Sequence, residues 1–132
     1  MFFFFFPNYL AITDPVLEDF ERGLAVVRRR YPQMTVGALE TLIHIARSQP
    51  RILSEEFSLK DVASEMDVRY PTLTRHSDIL GSGIAGRGGL QLLEKVSTGR
   101  DQKERRVELT QNGADFVAEL VSTIKSSTKI SD

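Results

Sequence analysis

The fold of this chain is indicated most clearly by residues 99–113, which read Gly-Arg-Asp-Gln-Lys-Glu-Arg-Arg-Val-Glu-Leu-Thr-Gln-Asn-Gly. The first half of this stretch is crowded with cations, namely Arg100, Lys103, Arg105 and Arg106. Polar and apolar residues then alternate up to Leu109, which predicts a strand that is buried on one face. Thr110 is of a type that caps helices, so a helix is predicted to follow. The stretch therefore predicts a cationic hairpin tip that is braced by a strand and a helix.

Upstream of the hairpin, the sequence predicts two short helices joined by a tight turn. Ser58 and Asp61 have the spacing of a capping box at the start of the first of them. The turn spans residues 67–70, and the second helix ends at Leu80, with Leu73 and Leu80 facing inward. This pattern is typical of a helix–turn–helix, whose second helix lies in the major groove of DNA. The outward residues of that second helix and its start are Arg69, Tyr70, Thr72, Thr74 and Arg75.

The partner strand of the hairpin is predicted over Leu90 to Val96, opposite Arg105 to Leu109. Two more helices precede the helix–turn–helix, one opened by Asp14-Pro15 and one capped by Thr35. The helix capped by Thr35 is predicted to turn Ala38, Leu39, Leu42, Ile43 and Ala46 inward. Ile52-Leu53 is predicted as a very short strand. The predicted fold class is therefore mainly α with a small β-hairpin wing, a winged helix–turn–helix.

The first and last helices carry apolar stripes that so small a middle is not expected to cover. The stripes are Val16, Phe20, Leu24 and Val27 on the first helix and Phe116, Leu120, Val121 and Ile124 on the last. Helices that expose such stripes usually bury them in another chain, which predicts a homodimer. Phe2–Phe6 is interpreted either as packed on the partner subunit or as poorly ordered.

Charge is distributed unevenly along the chain, although its net value is only −1. Residues 69–106 carry eight cationic and four anionic side chains, whereas the segments on either side are net acidic. A basic excess confined to the predicted helix–turn–helix and wing is typical of a nucleic-acid interface, although a basic surface with no ligand would look the same. Within this excess, Arg87 is expected to add a phosphate contact.

The length of 132 residues is that of one domain, 1–132. It is predicted to comprise an N-terminal arm and dimerisation helix (1–32), the winged helix–turn–helix (33–110) and a C-terminal dimerisation helix and tail (111–132). The absence of cysteine excludes disulfides and Cys-ligated zinc, and two histidines are too few for a metal site without carboxylates. No cofactor and no membrane span are expected, and a cytoplasmic location is predicted.

With the wing included, the chain resembles the MarR family of bacterial winged-helix regulators over roughly residues 14–126. The matching segments are Ala63 through Arg75, Asp101-Gln102-Lys103 and Leu109-Thr110-Gln111-Asn112-Gly113. Lys103 stands where that family typically has arginine, and Arg69 stands where it has a small hydroxyl residue. The resemblance implies a homodimeric DNA-binding repressor that recognises pseudo-palindromic operators. Many family members also bind a small-molecule effector between the dimerisation and DNA-binding parts.

Other functions are weighed against this interpretation. Gly81-x-Gly83-x-x-Gly86 matches the dinucleotide-binding fingerprint, but that fingerprint works only between a strand and a helix, and here the order is reversed. No nucleophile motif is present, so an enzyme is not expected. Two alternatives stay open: a winged-helix module that binds only proteins, and an effector-independent DNA-binding protein of a mobile element or replication system.

Overall fold

The structure is a computed structural model, and it describes residues 12–54, 57–83, 88–97 and 105–125. Within these ranges the element order is α1 (Pro15–Arg30), α2 (Val36–Arg47), α3 (Gln49–Leu53), α4 (Leu59–Met66), α5 (Tyr70–Leu80), β1 (Leu93–Ser97), β2 (Arg105–Leu109) and α6 (Gln111–Lys125). The two strands form one antiparallel hairpin. The protein is thus mainly α-helical with a β-hairpin after a helix–turn–helix, and the predicted fold class is confirmed.

The chain folds into two compact units, one of residues 1–33 and 118–132 and one of residues 34–117. In the first unit, the Asp14 carboxylate caps α1 by accepting the Val16 N–H at 2.8 Å. The end of α6 packs on α1 at Gly23, where an added Cβ would lie 3.1 Å from the Ile124 side chain. Arg30 of α1 and Glu119 of α6 form an ion pair at 3.0 Å.

Five of the eight predicted dimerisation residues expose their apolar side chains, as expected. These are Val16, Phe20, Leu24, Val121 and Ile124. The prediction of uncovered stripes is wrong at Val27, Phe116 and Leu120, because the chain itself already buries these three to 7% exposure or less. A helical stripe read from spacing alone is wider than the part of the helix that remains uncovered, since one edge of it packs within the chain.

The second unit has its core between α2, α4, α5 and the hairpin. Leu42, Val62, Leu73, Leu80 and Leu92 are fully buried there. The predicted caps of α2 and α4 are confirmed: Thr35 accepts the Ala38 N–H, and Ser58 and Asp61 form a reciprocal capping box. On α2 the predicted inward face is off by a fraction of a turn, because Ile45 is buried and Ile43 is 42% exposed.

The predicted strand at Ile52-Leu53 is wrong, since these residues end the short helix α3. The Ser48 carbonyl accepts the N–H groups of Arg51 and Ile52 at 3.0 and 2.9 Å, which closes a helical turn. Pro50 lies in the first turn of this helix, where its missing N–H costs nothing. Pro50 therefore starts α3 directly after the end of α2.

The predicted strand from Leu90 is three residues too long at its start, because β1 begins at Leu93. The N–H groups of Leu90, Gln91 and Leu92 are donated to the last carbonyls of α5 and to Gly81, at 2.8 to 3.1 Å. Gln91 has a positive φ of 61°, which breaks the extended backbone. These hydrogen bonds pair carbonyl groups at the C-terminal end of α5, and the segment thereby joins that helix to the hairpin.

The helix after the hairpin begins as predicted, with the Thr110 hydroxyl accepting the Gly113 N–H at 3.0 Å. The same hydroxyl donates to the Gln91 carbonyl at 2.6 Å. Gly113 is required by a close approach, because an added Cβ would lie 2.1 Å from the Leu92 carbonyl oxygen. The Leu-Thr-x-x-Gly pattern therefore locks the start of α6 against the entry to β1.

Candidate nucleic-acid interface

The turn between α4 and α5 is built from the backbone upward. Asp67 ends α4 in the left-handed region, with φ 55°, a conformation that aspartate tolerates better than most residues. The Val68 N–H then reaches back to the Ala63 carbonyl at 3.0 Å and satisfies the end of α4. Ala63 and Leu73 are buried where the two helices meet. The turn fixes α5 so that its N-terminal end is presented outward.

Four of the five residues predicted to face outward at the start of α5 are exposed, namely Arg69, Tyr70, Thr72 and Arg75. The fifth, Thr74, is half-buried. On the opposite face of the helix Leu73, Ser77 and Leu80 are buried. Within the described part of the chain, the guanidinium groups of Arg69 and Arg75 have no hydrogen-bond or ion-pair partner. Two uncompensated guanidinium groups therefore lie on the exposed face of this helix, one at its N-cap and one in its second turn.

One face of α5 forms a shallow hollow, which we call the recognition hollow. Its lining is mainly apolar and consists of Tyr70, Pro71, Thr74, Arg75 and Asp78. Thr72 lies on the other side of the helix and does not contribute to it. The sequence prediction named Tyr70, Thr74 and Arg75, but it did not identify Pro71 or Asp78 as part of the same surface.

Lys60 is a further cation at this surface that the sequence analysis did not single out. It lies in the first turn of α4, and its ammonium is 5.8 Å from the centre of the Tyr70 ring. A cation at this distance from the face of an aromatic ring is weakly attracted to it. Lys60 is thereby held next to the N-terminal end of α5, where it adds to the positive charge of Arg69.

The wing is tied to α5 by an ion pair. Lys95 of β1 and Asp78 of α5 are 2.8 Å apart, and both side chains are about one-third exposed. Two residues on, β1 continues with Ser97, which pairs with Arg105 of β2. The Lys95–Asp78 ion pair fixes the position of the hairpin relative to the recognition hollow.

The outer edge of β2 is occupied by the side chain of Gln49 rather than by a third strand. The Gln49 amide donates to the Val107 carbonyl at 3.3 Å and accepts the Leu109 N–H at 3.2 Å. These two backbone groups point away from β1 and would otherwise be unpaired. Gln49 is about 60 residues away in the sequence, so no local pattern could have revealed this contact.

The predicted wing cations are only partly placed by the structure. Arg87, Arg100 and Lys103 lie outside the described residues. Arg105 is the first residue of β2. Arg106 follows it, but its guanidinium donates to the Glu108 carboxylate at 2.5 Å, so its charge is already compensated. That partner was readable from the sequence, because residues i and i+2 of a strand lie on the same face.

A charged cluster of His44, Arg51 and Glu65 joins α2, α3 and α4. The Glu65 carboxylate accepts hydrogen bonds from Arg51 at 2.8 and 2.9 Å and lies 2.8 Å from Nε2 of His44. The bonds from Arg51, and then that with His44, lower the pKa of Glu65 to about 2. Arg51 also stacks 3.9 Å from the centre of the Phe57 ring. His44 is therefore a structural partner of Glu65.

The described residues form neither a metal site nor a membrane-spanning helix. Among the described residues, no group of three His, Asp or Glu side chains could hold a metal ion. No helix in the described ranges combines the length and the apolar composition that a membrane span requires.

Comparisons with known proteins agree with the fold. No protein-family model matches the chain, and no curated protein matches it. The chain is similar in structure to RV1404 from Mycobacterium tuberculosis, known from a crystal structure, with a TM-score of 0.58 and 20% sequence identity. The match covers 92% of this chain and 77% of that one. At this level of identity, the likeness concerns the fold alone.

Proposed function

We propose that this protein is a homodimeric, sequence-specific DNA-binding regulator of transcription, a repressor, in which α5 enters the major groove and the hairpin lies on the flanking backbone. The observation that carries the proposal is the pair of unpartnered guanidinium groups on the exposed face of α5, with Arg69 at its N-cap and Arg75 in its second turn. In helix–turn–helix proteins the N-terminal residues of the second helix contact the base edges. We assign Arg75 to a guanine, which arginine binds through two parallel hydrogen bonds, and Arg69 to a phosphate.

The positions of the neighbouring groups support the same proposal. Tyr70 and Thr72 are exposed beside the two arginines, and Lys60 lies near the Tyr70 ring. The Lys95–Asp78 ion pair and the Gln49 side chain hold the hairpin at a set place relative to α5. A surface that binds only proteins would not need this concentration of unpaired positive charge, so DNA is favoured over the protein-binding alternative.

Dimerisation is part of the proposal because one copy of α5 can read only half of a palindromic operator. The exposed side chains of Val16, Phe20 and Leu24 on α1 form an apolar surface that a second copy would bury. A palindromic operator presents its half-sites about 34 Å apart, which is one turn of DNA, and a dimer supplies one recognition helix for each half-site. A small-molecule effector, as in many MarR-family regulators, stays a prediction from the resemblance.

The test is binding of the purified protein to a pool of random duplexes, followed by affinity measurements on the selected site at rising salt. We expect the affinity to fall by orders of magnitude between about 50 and 200 mM salt, because several phosphate contacts release counterions. Arg75→Ala should weaken binding to the selected site roughly 10- to 100-fold and relax its sequence preference.

Arg47→Ala is the matched control for this variant. Arg47 is another exposed helical arginine without a partner in the described ranges, and it lies outside α5 and the hairpin. Its removal should leave sequence preference unchanged. A protein that binds no duplex at low salt, or an Arg75→Ala variant with wild-type preference, would contradict the proposal.

A further inference from the structure

The recognition hollow offers an apolar surface where a DNA-reading helix usually offers hydrogen-bonding groups. The Tyr70 ring and the Pro71 ring form part of its wall, and Tyr70 is 42% exposed. Proline has no N–H and therefore contributes only carbon to this surface. The hollow runs along α5 from Tyr70 to Asp78 and includes the N-terminal turns that reach base edges in helix–turn–helix proteins.

The hydroxyl group of Thr74 is turned away from a ligand in the hollow. Its Oγ1 donates to the Tyr70 carbonyl at 2.9 Å, one turn back along α5. This back-bonding is a common state of threonine within helices, and it uses the only proton that the side chain can donate. With this proton used by the backbone, Thr74 has no donor to offer a base, and its methyl group provides an apolar contact.

The two charged residues of the recognition hollow differ in availability. Asp78 is held by Lys95 at 2.8 Å, so its carboxylate is compensated and is a weak acceptor for a base amino group. Arg75 has no partner within the described residues. The hollow therefore combines an apolar wall with one free guanidinium at its edge.

We infer that the recognition hollow receives the 5-methyl group of a thymine, next to a guanine that is bound by Arg75. The inference rests on the proposed DNA binding and names part of the sequence that the protein reads. Thymine alone among the four bases presents a methyl group in the major groove, and guanine alone presents two acceptors to a bidentate arginine. A cytosine in place of the thymine would lack the methyl group and would bring a polar amino group against a mainly apolar surface.

The experiment removes single methyl groups, first from the operator DNA and then from the protein. Each thymine of the selected operator is replaced in turn by deoxyuridine, which lacks only the 5-methyl group. At the thymine that enters the recognition hollow, this replacement in one half-site should lower the affinity roughly fourfold, the value expected for one buried methyl group. The replacement in both half-sites should lower the affinity roughly 15-fold. A guanine should neighbour this thymine, and the preference of the protein for guanine at that position should be lost in Arg75→Ala.

Thr74→Ser removes the methyl group from the protein and keeps the hydroxyl that bonds to Tyr70. This variant should bind the thymine operator more weakly and should discriminate less between thymine and deoxyuridine. Ile43→Val is the matched control, because it removes one carbon from an exposed side chain of α2, outside α5 and the recognition hollow. Far-UV circular dichroism checks that both variants are folded.

Equal affinity for thymine and deoxyuridine at every position of a tightly bound operator would overturn this inference and leave the proposed DNA binding standing. Undiminished discrimination in Thr74→Ser would overturn it as well. A protein that binds no duplex at all overturns both, so the two failures are distinguishable.

Discussion

Replacing Gln49 by methionine should destabilise the protein through the wing, because the Gln49 side chain is the hydrogen-bond partner of the outer edge of β2 at that point. The Gln49 side chain makes two hydrogen bonds to this edge, one to the Val107 carbonyl and one from the Leu109 N–H. Methionine has nearly the same length and fills the same space, but it can neither donate nor accept as the amide does. Val107 is only 2% exposed, so water does not easily replace the lost partner.

The expected magnitude follows from these two bonds. Each is worth about 1 kcal/mol of net stability, and a buried backbone group left unpaired costs more than that. We therefore expect the free energy of unfolding to fall by about 2–3 kcal/mol, or the melting temperature by roughly 5–10 °C. The measurement is urea denaturation followed by circular dichroism.

Gln111→Met is the matched control for this substitution. Gln111 is exposed, and its amide bonds only to Asp115 one turn along α6, at 2.9 Å. A surface pair of this kind is worth about 0.2–0.5 kcal/mol. If Gln49→Met and Gln111→Met shift the urea midpoint equally, the Gln49 side chain does not stabilise the edge of β2, and the assignment of its role is wrong.

Three further predictions concern other parts of the molecule. Hydrogen bonds from Arg51, and then that with His44, lower the pKa of Glu65 from 4.5 to about 2, so its contribution to stability is complete above pH 4.5 and is lost as the pH falls towards 2. Glu65→Gln should remove that part of the pH dependence of the urea midpoint, and an unchanged profile would contradict the assignment. Gly113→Ala should cost about 1–3 kcal/mol in urea denaturation, because its Cβ meets the Leu92 carbonyl, whereas Asn112→Ala on the exposed side of the same turn should cost far less. Phe20→Asp and Val121→Asp should yield folded monomers in sedimentation analysis, because both side chains are exposed in the single chain; wild-type protein that is monomeric at micromolar concentration would contradict the dimer.

The parts of the fold that the sequence predicts correctly are those set by contacts between near neighbours. Asp14, Thr35 and Ser58 cap their helices through N–H groups two or three residues away, so the residue type reveals the structure. The errors occur where distant segments compete for the same backbone groups. Leu90 and Leu92 would suit a strand, but their N–H groups are drawn to the end of α5, a preference that no local pattern contains.

The candidate site divides in the same way. The exposure of Arg69, Tyr70 and Arg75 follows from the helical period, because Leu73 and Leu80 fix which face of α5 is buried. The state of each polar group does not follow, since it depends on a partner chosen in three dimensions. The Lys95–Asp78 pair joins residues 17 apart on different elements, and it compensates the charge of the Asp78 carboxylate.

The start of α5 gives a prediction in which stability and binding change in opposite directions. Among the described helices of eight or more residues, only α5 lacks a side-chain hydrogen bond at its N-cap, where Arg69 stands. Its backbone there is extended, with φ −70° and ψ 141°, the conformation that a capping serine adopts. Pro71 has no N–H, so a serine at position 69 would accept the N–H of Thr72. Arg69→Ser should therefore raise the free energy of unfolding by about 1 kcal/mol.

The same change removes a cation from the proposed DNA surface, so it should weaken binding to good and poor sites alike and reduce the salt dependence by about one phosphate contact. Urea denaturation and salt-dependent DNA-affinity measurements on this one variant test both effects. A variant that is more stable and binds DNA as well as the wild type would show that Arg69 contacts no phosphate.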